Sequence, residues 1–324
     1  MIPAFAYTRA TTVNAALEAL SQPGTRPIAG GTDLLGCLRE EVMAASHLVS
    51  LSRVDALRGV VETADGGLRL GALTTVDAIA RDPAVVTKYP ALAQAAAAVA
   101  SPQLRHQGTL GGNLCQRPRC WFLRGGYDCA RKGGAACFAL QGDNRYHAIL
   151  GGSGCVIVHP SDTAVALTAL GASVSVAGPR GARVVPIERF FVGPDIDLTR
   201  ETVLERGELL TDVTVPAVPP GTRSVFQKVR ARGTWDFALA SVAVVARLEK
   251  QRLVHARVVL GAAAPVPWRA TAAERVLTGQ RLDARTIGRA AAAAVEGASP
   301  LEHNGYKVAM LKGLVEKVLA GLAG

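Results

Sequence analysis

Five of the chain's six cysteines, Cys115, Cys120, Cys129, Cys137 and Cys155, lie within a span of 41 residues. Four, eight, seven and seventeen residues separate them in turn. Thiols at that density engage a metal or a cluster, pair as disulfides, or merely pack. Disulfides are the weakest reading: a chain of 324 residues builds its own cores, and its N-terminus lacks the basic start and apolar run of a secretory signal. Structural zinc sites draw ligands in pairs two to four residues apart, and no such pair of pairs is present. Ligation by four thiolates is the rule for a [4Fe–4S] centre. A cluster so held is anionic, and residues 101–140 carry six basic side chains (Arg105, Arg117, Arg119, Arg124, Arg131, Lys132) against one acid, Asp128. Gly125, Gly126, Gly133 and Gly134 allow tight turns that bring amides up to sulfur. By residue type alone, cluster, zinc and unengaged thiols all stay open, with the cluster favoured. Cys115 adjoins a glycine loop where it can simply pack, and Cys37 reads as a small core residue.

Two glycine loops point to phosphate chemistry. Ile28-Ala29-Gly30-Gly31-Thr32-Asp33-Leu34 follows a strand candidate and opens a helix, so amides and a helix N-terminus can approach a diphosphate. Thr32 and Asp33 can cap that helix, and a capped tight turn without ligand is the plainer account of this loop by itself. Gly108-Thr109-Leu110-Gly111-Gly112-Asn113 has the same chemistry and the same plain account. Neither is a Gly-x-Gly-x-x-Gly or a Walker sequence, which argues against a nicotinamide Rossmann domain or a P-loop. The turn His159-Pro160-Ser161-Asp162 follows, with Ser161 and Asp162 placed to cap a helix. The three segments together suggest a cleft shared between two subdomains. The histidines, His106 and His147 among them, show no pairing with an acid or nucleophile, so no hydrolytic triad is expected.

The elements that must position these residues alternate between α and β at the start. Val13, Ala16, Leu17 and Leu20 recur at helical spacing, Arg26 to Ala29 is a short strand, a helix starts at Leu34, and His47 to Leu51 is a second strand. A second unit has a strand over Leu68 to Ala72, a helix over Tyr89 to Ala100, a helix over Thr163 to Leu170 and a hairpin across Gly178 to Gly181. Between its helices, residues 114–155 show little periodicity, and a stretch of that length inside a compact domain is usually functional or tied down. A proline-rich joint at Pro216 to Gly221 leads to strands over Val225 to Val229, Ser241 to Arg247 and Leu253 to Leu260, then two or three helices. The last helix carries a stripe of Val308, Leu311, Val315, Val318 and Leu322. The expected domains are 1–58, 59–218 with an insertion at about 114–155, and 219–324, an α+β chain.

Composition narrows the function classes. With 49% hydrophobic and 19% charged residues the chain folds, and no apolar stretch reaches the length of a bilayer span. The net charge of +10 is dispersed and aromatics make up only 5%, too few for base stacking, so nucleic acid is not an expected partner. The chain by itself shows no export signal; the compartment is left open between the cytoplasm and a periplasm reached as a folded complex.

In order and spacing, Ala29-Gly30-Gly31-Thr32-Asp33, Thr109-Leu110-Gly111-Gly112-Asn113 and His159-Pro160-Ser161-Asp162 resemble the FAD-binding subunit of the molybdenum hydroxylases, the group of xanthine dehydrogenase and carbon monoxide dehydrogenase. The resemblance covers nearly the whole chain, and its C-terminal third is similar to the flavoprotein C-terminal domain of carbon monoxide dehydrogenase. The insertion, with Cys120-Trp121-Phe122 and Asn144-Arg145-Tyr146-His147-Ala148, resembles that of FAD subunits carrying an extra [4Fe–4S] cluster. Those belong to periplasmic-type aldehyde oxidoreductase and 4-hydroxybenzoyl-CoA reductase, and the wording here is closer to the former.

The resemblance implies a two-subdomain FAD-binding fold (PCMH-like) plus a C-terminal α+β domain. It implies that Ala29, Gly30, Gly31, Thr32, Asp33 and Leu34, led by Pro27 and Ile28, hold the FAD diphosphate. Thr109, Gly112 and Asn113 would contact the flavin side, Asp162 the ribityl or adenosine portion, and Lys228 the flavin ring, with Ser161 also among the cofactor-binding residues. Spacing alone reads Lys228 as an exposed strand lysine, and Trp235 either covers the ring or fills the C-terminal core. Cys120, Cys129, Cys137 and Cys155 become the cluster ligands, with no catalytic acid or base required on this chain. Since neither a molybdopterin domain nor the plant-type [2Fe–2S] cysteine run is present, the reading requires a large molybdopterin-binding subunit and a small subunit with two [2Fe–2S] clusters. Electrons would pass from the small subunit to FAD and on to an external acceptor. In a 4-hydroxybenzoyl-CoA reductase-like enzyme they would run the other way. A free-standing flavin reductase would have no need of the insertion, and a zinc-stapled binding protein would leave the glycine loops unexplained.

Overall fold

The computed structural model describes residues 2–323. The first of three sheets is built from β1 (Ala6–Arg9), β2 (Thr25–Ile28) and β3 (His47–Ser50), parallel and in the order β1-β3-β2. Helices α1 (Val13–Leu20) and α2 (Leu34–Arg39) alternate with these strands, and the Thr12 side chain caps α1 by accepting from the Ala15 amide at 3.1 Å. Leu48 and Val49 of the central strand are buried. All four residues of β1 are exposed, so it carries no hydrophobic alternation to betray it in the sequence.

The second unit holds β4 (Val60–Glu62), β5 (Leu68–Gly71), α3 (Val76–Arg81), α4 (Pro83–Lys88), α5 (Pro90–Ala97), α6 (Pro102–Gln107), α7 (Leu110–Leu114), α8 (Trp121–Arg124), α9 (Asp162–Ala169), β6 (Ser173–Gly178), β7 (Gly181–Pro186) and β8 (Leu209–Val215). Its five strands run antiparallel in the order β4-β5-β8-β6-β7, with Val213 of β8 opposite both Leu70 and Val174. The helix expected over Tyr89 to Ala100 is shorter, because Pro90 starts α5 and the chain leaves it after Ala97. Every residue of α9 is buried, Asp162 included. Thr163 and the rest of that helix therefore form the centre of the molecule rather than an amphipathic surface.

The third sheet, β12-β11-β10-β9, is antiparallel: β9 (Thr222–Val229), β10 (Ala240–Glu249), β11 (Arg252–Gly261) and β12 (Trp268–Arg269). It is followed by α10 (Thr271–Leu277), α11 (Ala284–Ala294) and α12 (Tyr306–Ala323). Alternate residues of β10 serve two cores. Val242 and Val244 pack with Leu311 and Val315 of α12, while Ala243 and Val245 join Leu92 and Val165 of the second unit. β10 is thus buried on both faces, which welds the third unit to the second. The stripe on α12 is buried at Leu311, Val315, Val318 and Leu322, with Val308 half-buried.

The segment 114–155 contains more structure than its sequence suggests: α8 and two 3₁₀ turns, Ala130–Lys132 and Phe138–Leu140. The entry to α12 ties it down. Asn304 Nδ2 donates to the carbonyls of His147 (3.2 Å) and Ala148 (3.1 Å), and the His303 amide donates to Asn144 Oδ1 at 2.9 Å. Among the described residues no helix is long and apolar enough to cross a membrane.

Candidate functional site

The two glycine loops meet. Gln107 Nε2 donates to the Gly30 carbonyl at 3.2 Å, and a Cβ at Gly30 would overlap the Gln107 carbonyl oxygen. Only glycine allows this approach, and Gly31 beside it has φ of 72°. The second loop is pinned to the β5–α3 turn by Val76 N to Gly108 O and Leu110 N to Thr74 O, both 2.9 Å. Thr109 caps α7, accepting from the Gly112 amide at 3.2 Å. Together the loops wall a cleft of about 690 Å³, the size class of cofactor sites. Pro27, Ala29, Gly30, Gly31, Thr32, Asp33, Leu34, Thr109 and Gly112 all line it. Ile28 and Asn113 do not. Arg26 and Arg117 do, which the sequence reading had not placed there.

Asp33 stands at the N-cap position of α2 but makes no capping bond, a correction to its expected role. Its carboxylate turns instead toward the cysteine segment. It accepts from the Arg117 amide at 2.8 Å, from Arg124 Nη2 at 2.7 Å and from the Arg119 guanidinium. Burial alone would push this carboxyl up, but the two guanidiniums and the amide hold it below the usual carboxylate range.

Around the Ser161 turn, polar groups satisfy one another. The Ser161 and Thr163 hydroxyls both donate to Asn113 Oδ1 at 2.6 Å, and Ser161 also caps α9. Asp162 does not cap. It forms a 2.7 Å ion pair with Lys228, and the side chains are 7% and 4% exposed. Lys228, which spacing reads as exposed, also donates to the Ala98 carbonyl at 3.1 Å. Burial pushes the Asp162 carboxyl up, against the pull of Lys228. Burial also holds the His159 imidazole neutral, down to about 3. A second cavity of about 190 Å³ opens here, walled by Cys120 and His147 on one side and by Ser161, Asp162, Phe237 and Ser241 on the other. Trp235 lies outside it, 61% exposed.

The cysteines sort into two groups. Cys115 packs against the central core of the second unit, and burial pushes its thiol up to about 12. Cys120, Cys129 and Cys137 each stand at the N-terminal end of a helical turn. Cys120 and Cys129 share apolar neighbours such as Leu123, and Cys120 and Cys137 share Phe122 and Val156. Cys37, set aside as a core residue, is fully buried within the same apolar set as Cys129. Cys137 and Cys155 share a hydrogen bond that, with the Arg131 guanidinium, lowers the Cys155 thiol despite burial and raises the Cys137 thiol. Arg131 is in turn held by Glu201 at 2.8 Å. Burial pushes the Cys120 thiol up to about 11, against the amides of Leu123 and Phe122. Among the described residues no three His, Cys, Asp or Glu side chains gather around the position of a single metal ion.

Two histidines expected to be unpaired are not. His106 Nδ1 lies 3.3 Å from Asp77, and His147 Nε2 lies 3.2 Å from the Cys120 sulfur.

Residues 3–218 match the family described as FAD binding domain in molybdopterin dehydrogenase, and residues 224–322 match the CO dehydrogenase flavoprotein C-terminal domain. The chain is 37% identical to the aldehyde oxidoreductase FAD-binding subunit PaoB of Escherichia coli, covering 98% of each chain. It is 29% identical to the carbon monoxide dehydrogenase medium chain of Hydrogenophaga pseudoflava, over 98% of this chain and 96% of the other. In three dimensions it resembles the solved carbon monoxide dehydrogenase of that organism with a TM-score of 0.77 at 28% identity, covering 98% of this chain and 96% of the other. For quinoline 2-oxidoreductase from Pseudomonas putida 86 the TM-score is 0.78 at 27% identity, over 100% and 98% of the chains. The fold, the paired glycine loops and these full-length matches agree: the chain belongs to the molybdenum hydroxylase family of oxidoreductases as its FAD-binding medium subunit.

Proposed function

We propose that this subunit relays electrons within a heteromeric molybdenum-dependent aldehyde oxidoreductase, holding both FAD and a [4Fe–4S] cluster. The full-length 37% identity to an aldehyde oxidoreductase FAD-binding subunit supports the FAD and aldehyde oxidoreductase part of the reading. The 690 Å³ cleft has room for a dinucleotide whose diphosphate would lie against Ala29 to Leu34, with Arg26 and the Glu201-paired Arg117 also on its wall. The flavin side would run past Thr109 and Gly112 toward the smaller cavity. Ser161 and Asp162 line that cavity, Ser161 held from behind by Asn113 and Asp162 by the buried Lys228.

Bound FAD supplies the exchange of two electrons, taken singly and passed on. The protein's own work is binding, orientation and electrostatics. No acid or base of this chain is assigned a role in the substrate's carbon chemistry, which belongs to a large molybdopterin-binding partner. A small partner with two [2Fe–2S] clusters would deliver the electrons, and an external acceptor would remove them.

For the cluster, the donor set fits. Cys120 shares apolar neighbours with Cys129 in one cluster and with Cys137 in another, Cys137 pairs with Cys155, Arg131 draws Cys155 toward thiolate, and Cys115 lies apart. Each thiolate of a four-iron cluster would bind a different iron. The test is the visible spectrum of anaerobically purified protein, with flavin, iron and zinc measured per chain. One FAD with about four irons is expected. Flavin without iron would overturn the cluster, and zinc in the place of iron would reassign the cysteines.

A further inference from the structure

The neutral donors nearest the proposed cluster are set by the fold, and one of them is a histidine. Sulfur of Cys120 and Nε2 of His147 lie 3.2 Å apart. We propose that His147 donates an Nε2–H hydrogen bond to the Cys120 thiolate and so raises the reduction potential of the cluster, an inference that rests on the cluster reading above.

The direction of the bond follows from inventory. A ligating thiolate has lone pairs and no proton, so the imidazole must be the donor. His147 Nδ1 is buried with no hydrogen-bond partner. A proton there would be an orphaned buried donor, the costlier arrangement, so it belongs on Nε2, facing sulfur. The ring is also held in place. The His147 amide donates to Asn144 O at 2.9 Å, and its carbonyl accepts from Asn304 Nδ2 at 3.2 Å and Lys307 Nζ at 3.0 Å. Trp121 and Phe122 flank the imidazole, each 6.3 Å between ring centres. His147 is 4% exposed.

Reduction adds one electron to the cluster and spreads negative charge over its sulfurs. A donor aimed at one sulfur therefore favours the reduced form, and hydrogen bonds to sulfur are a recognised lever on such potentials. No bond breaks and no proton leaves His147. It is a positioning and tuning residue acting through Cys120.

The experiment compares His147→Phe and His147→Gln with the wild-type complex as isolated under anaerobic conditions. Iron and flavin per chain and the cluster's midpoint potential are read for each. Both variants are expected to keep about four irons and the flavin. Without the donor, His147→Phe should have about a tenfold lower ratio of reduced to oxidised cluster at the wild-type midpoint, a shift of about 59 mV downward. His147→Gln, whose amide can still reach the sulfur, should recover part of that shift. An unchanged midpoint in His147→Phe overturns the proposal, as does an equal fall in both variants. Loss of iron from both variants with flavin retained would make His147 a ligand or a scaffold instead, which also overturns it. Wild-type protein with flavin and no iron would remove the cluster reading itself, before any variant is made.

Discussion

Arg124 Nη2, on the helix that begins next to Cys120, donates to the carboxylate of Asp33, on the first glycine loop, at 2.7 Å. These residues are 91 apart in sequence, and their side chains are 14% and 17% exposed. The loop proposed to hold the diphosphate and the segment proposed to hold the cluster are therefore one mechanical unit.

Removing the carboxylate should loosen both. Asp33→Ala leaves Arg119 and Arg124 without their shared anion, and breaking such a shielded pair costs on the order of 3 kcal/mol. Asp33→Asn keeps an acceptor and should cost less. Hydrogen exchange is expected to speed up at the amides from Arg117 to Gly125, with a lower Tm. An unchanged exchange pattern there would mean that the segment is held by its other contacts, such as Arg124 to Glu40 at 3.1 Å.

The junction of the glycine loops should be intolerant of a single methyl group. In Gly30→Ala, Cβ overlaps the Gln107 carbonyl, so the loops must part. A forced shift of this kind costs about 1–3 kcal/mol, and if it falls on the bound geometry the flavin affinity drops by about 5- to 150-fold. Gly313→Ala is the control: its Cβ meets nothing within 4 Å on the exposed face of α12, and Ala there should stabilise by up to about 1 kcal/mol. Flavin titration of the two variants separates the cases, and equal affinities would dissociate Gly30 from the cofactor.

The two groups of cysteines predict opposite outcomes. Cys129→Ser should strip most of the iron while leaving most of the FAD, because the cysteine lies with the other proposed ligands and off the large cleft. Cys115→Ser should leave the iron content unchanged, since Cys115 packs against a separate core on the wall of the large cleft and its thiol is pushed far from thiolate. Iron and flavin assays on both decide it. Full iron in Cys129→Ser would break the ligand assignment.

What was legible in the sequence was local. The two glycine loops, the Ser161 cap and most strands show themselves through turn chemistry and period-two alternation. What was hidden is pairing over distance. Asp33 looks like a helix cap until Arg119 and Arg124 arrive from 86 and 91 residues later. Lys228 sits on a strand whose pattern reads half-exposed, and only Asp162, 66 residues earlier, explains its burial. β8 went unread in the sequence, because Leu209 and Leu210 are both buried and a bulge interrupts its pairing with β6, and its place between β5 and β6 depends on register with strands on either side of the insertion. His147 reads as a lone histidine because its partner Cys120 lies 27 residues away across an irregular segment.

Lys307 provides a signature in pH. Its ammonium donates to the carbonyls of Tyr146 (3.3 Å), His147 (3.0 Å) and Ala262 (2.5 Å), clamping the insertion to the third sheet. Burial lowers its pKa to about 7 from an ordinary value of 10.5. Between those values the unfolded chain holds a proton that the folded chain has released. Stability from this group therefore rises with pH across that window, by at most about 1.4 kcal/mol per unit, and is flat below it. Lys307→Met lacks the titration and also leaves the carbonyls without their donor. Denaturant unfolding of both proteins from pH 6 to 10 should show the wild-type advantage growing above about pH 7. Other titrating groups cancel in the difference. Parallel curves would mean that the three carbonyls keep Lys307 charged in the folded chain, and the clamp would then be an ionic one at every pH tested.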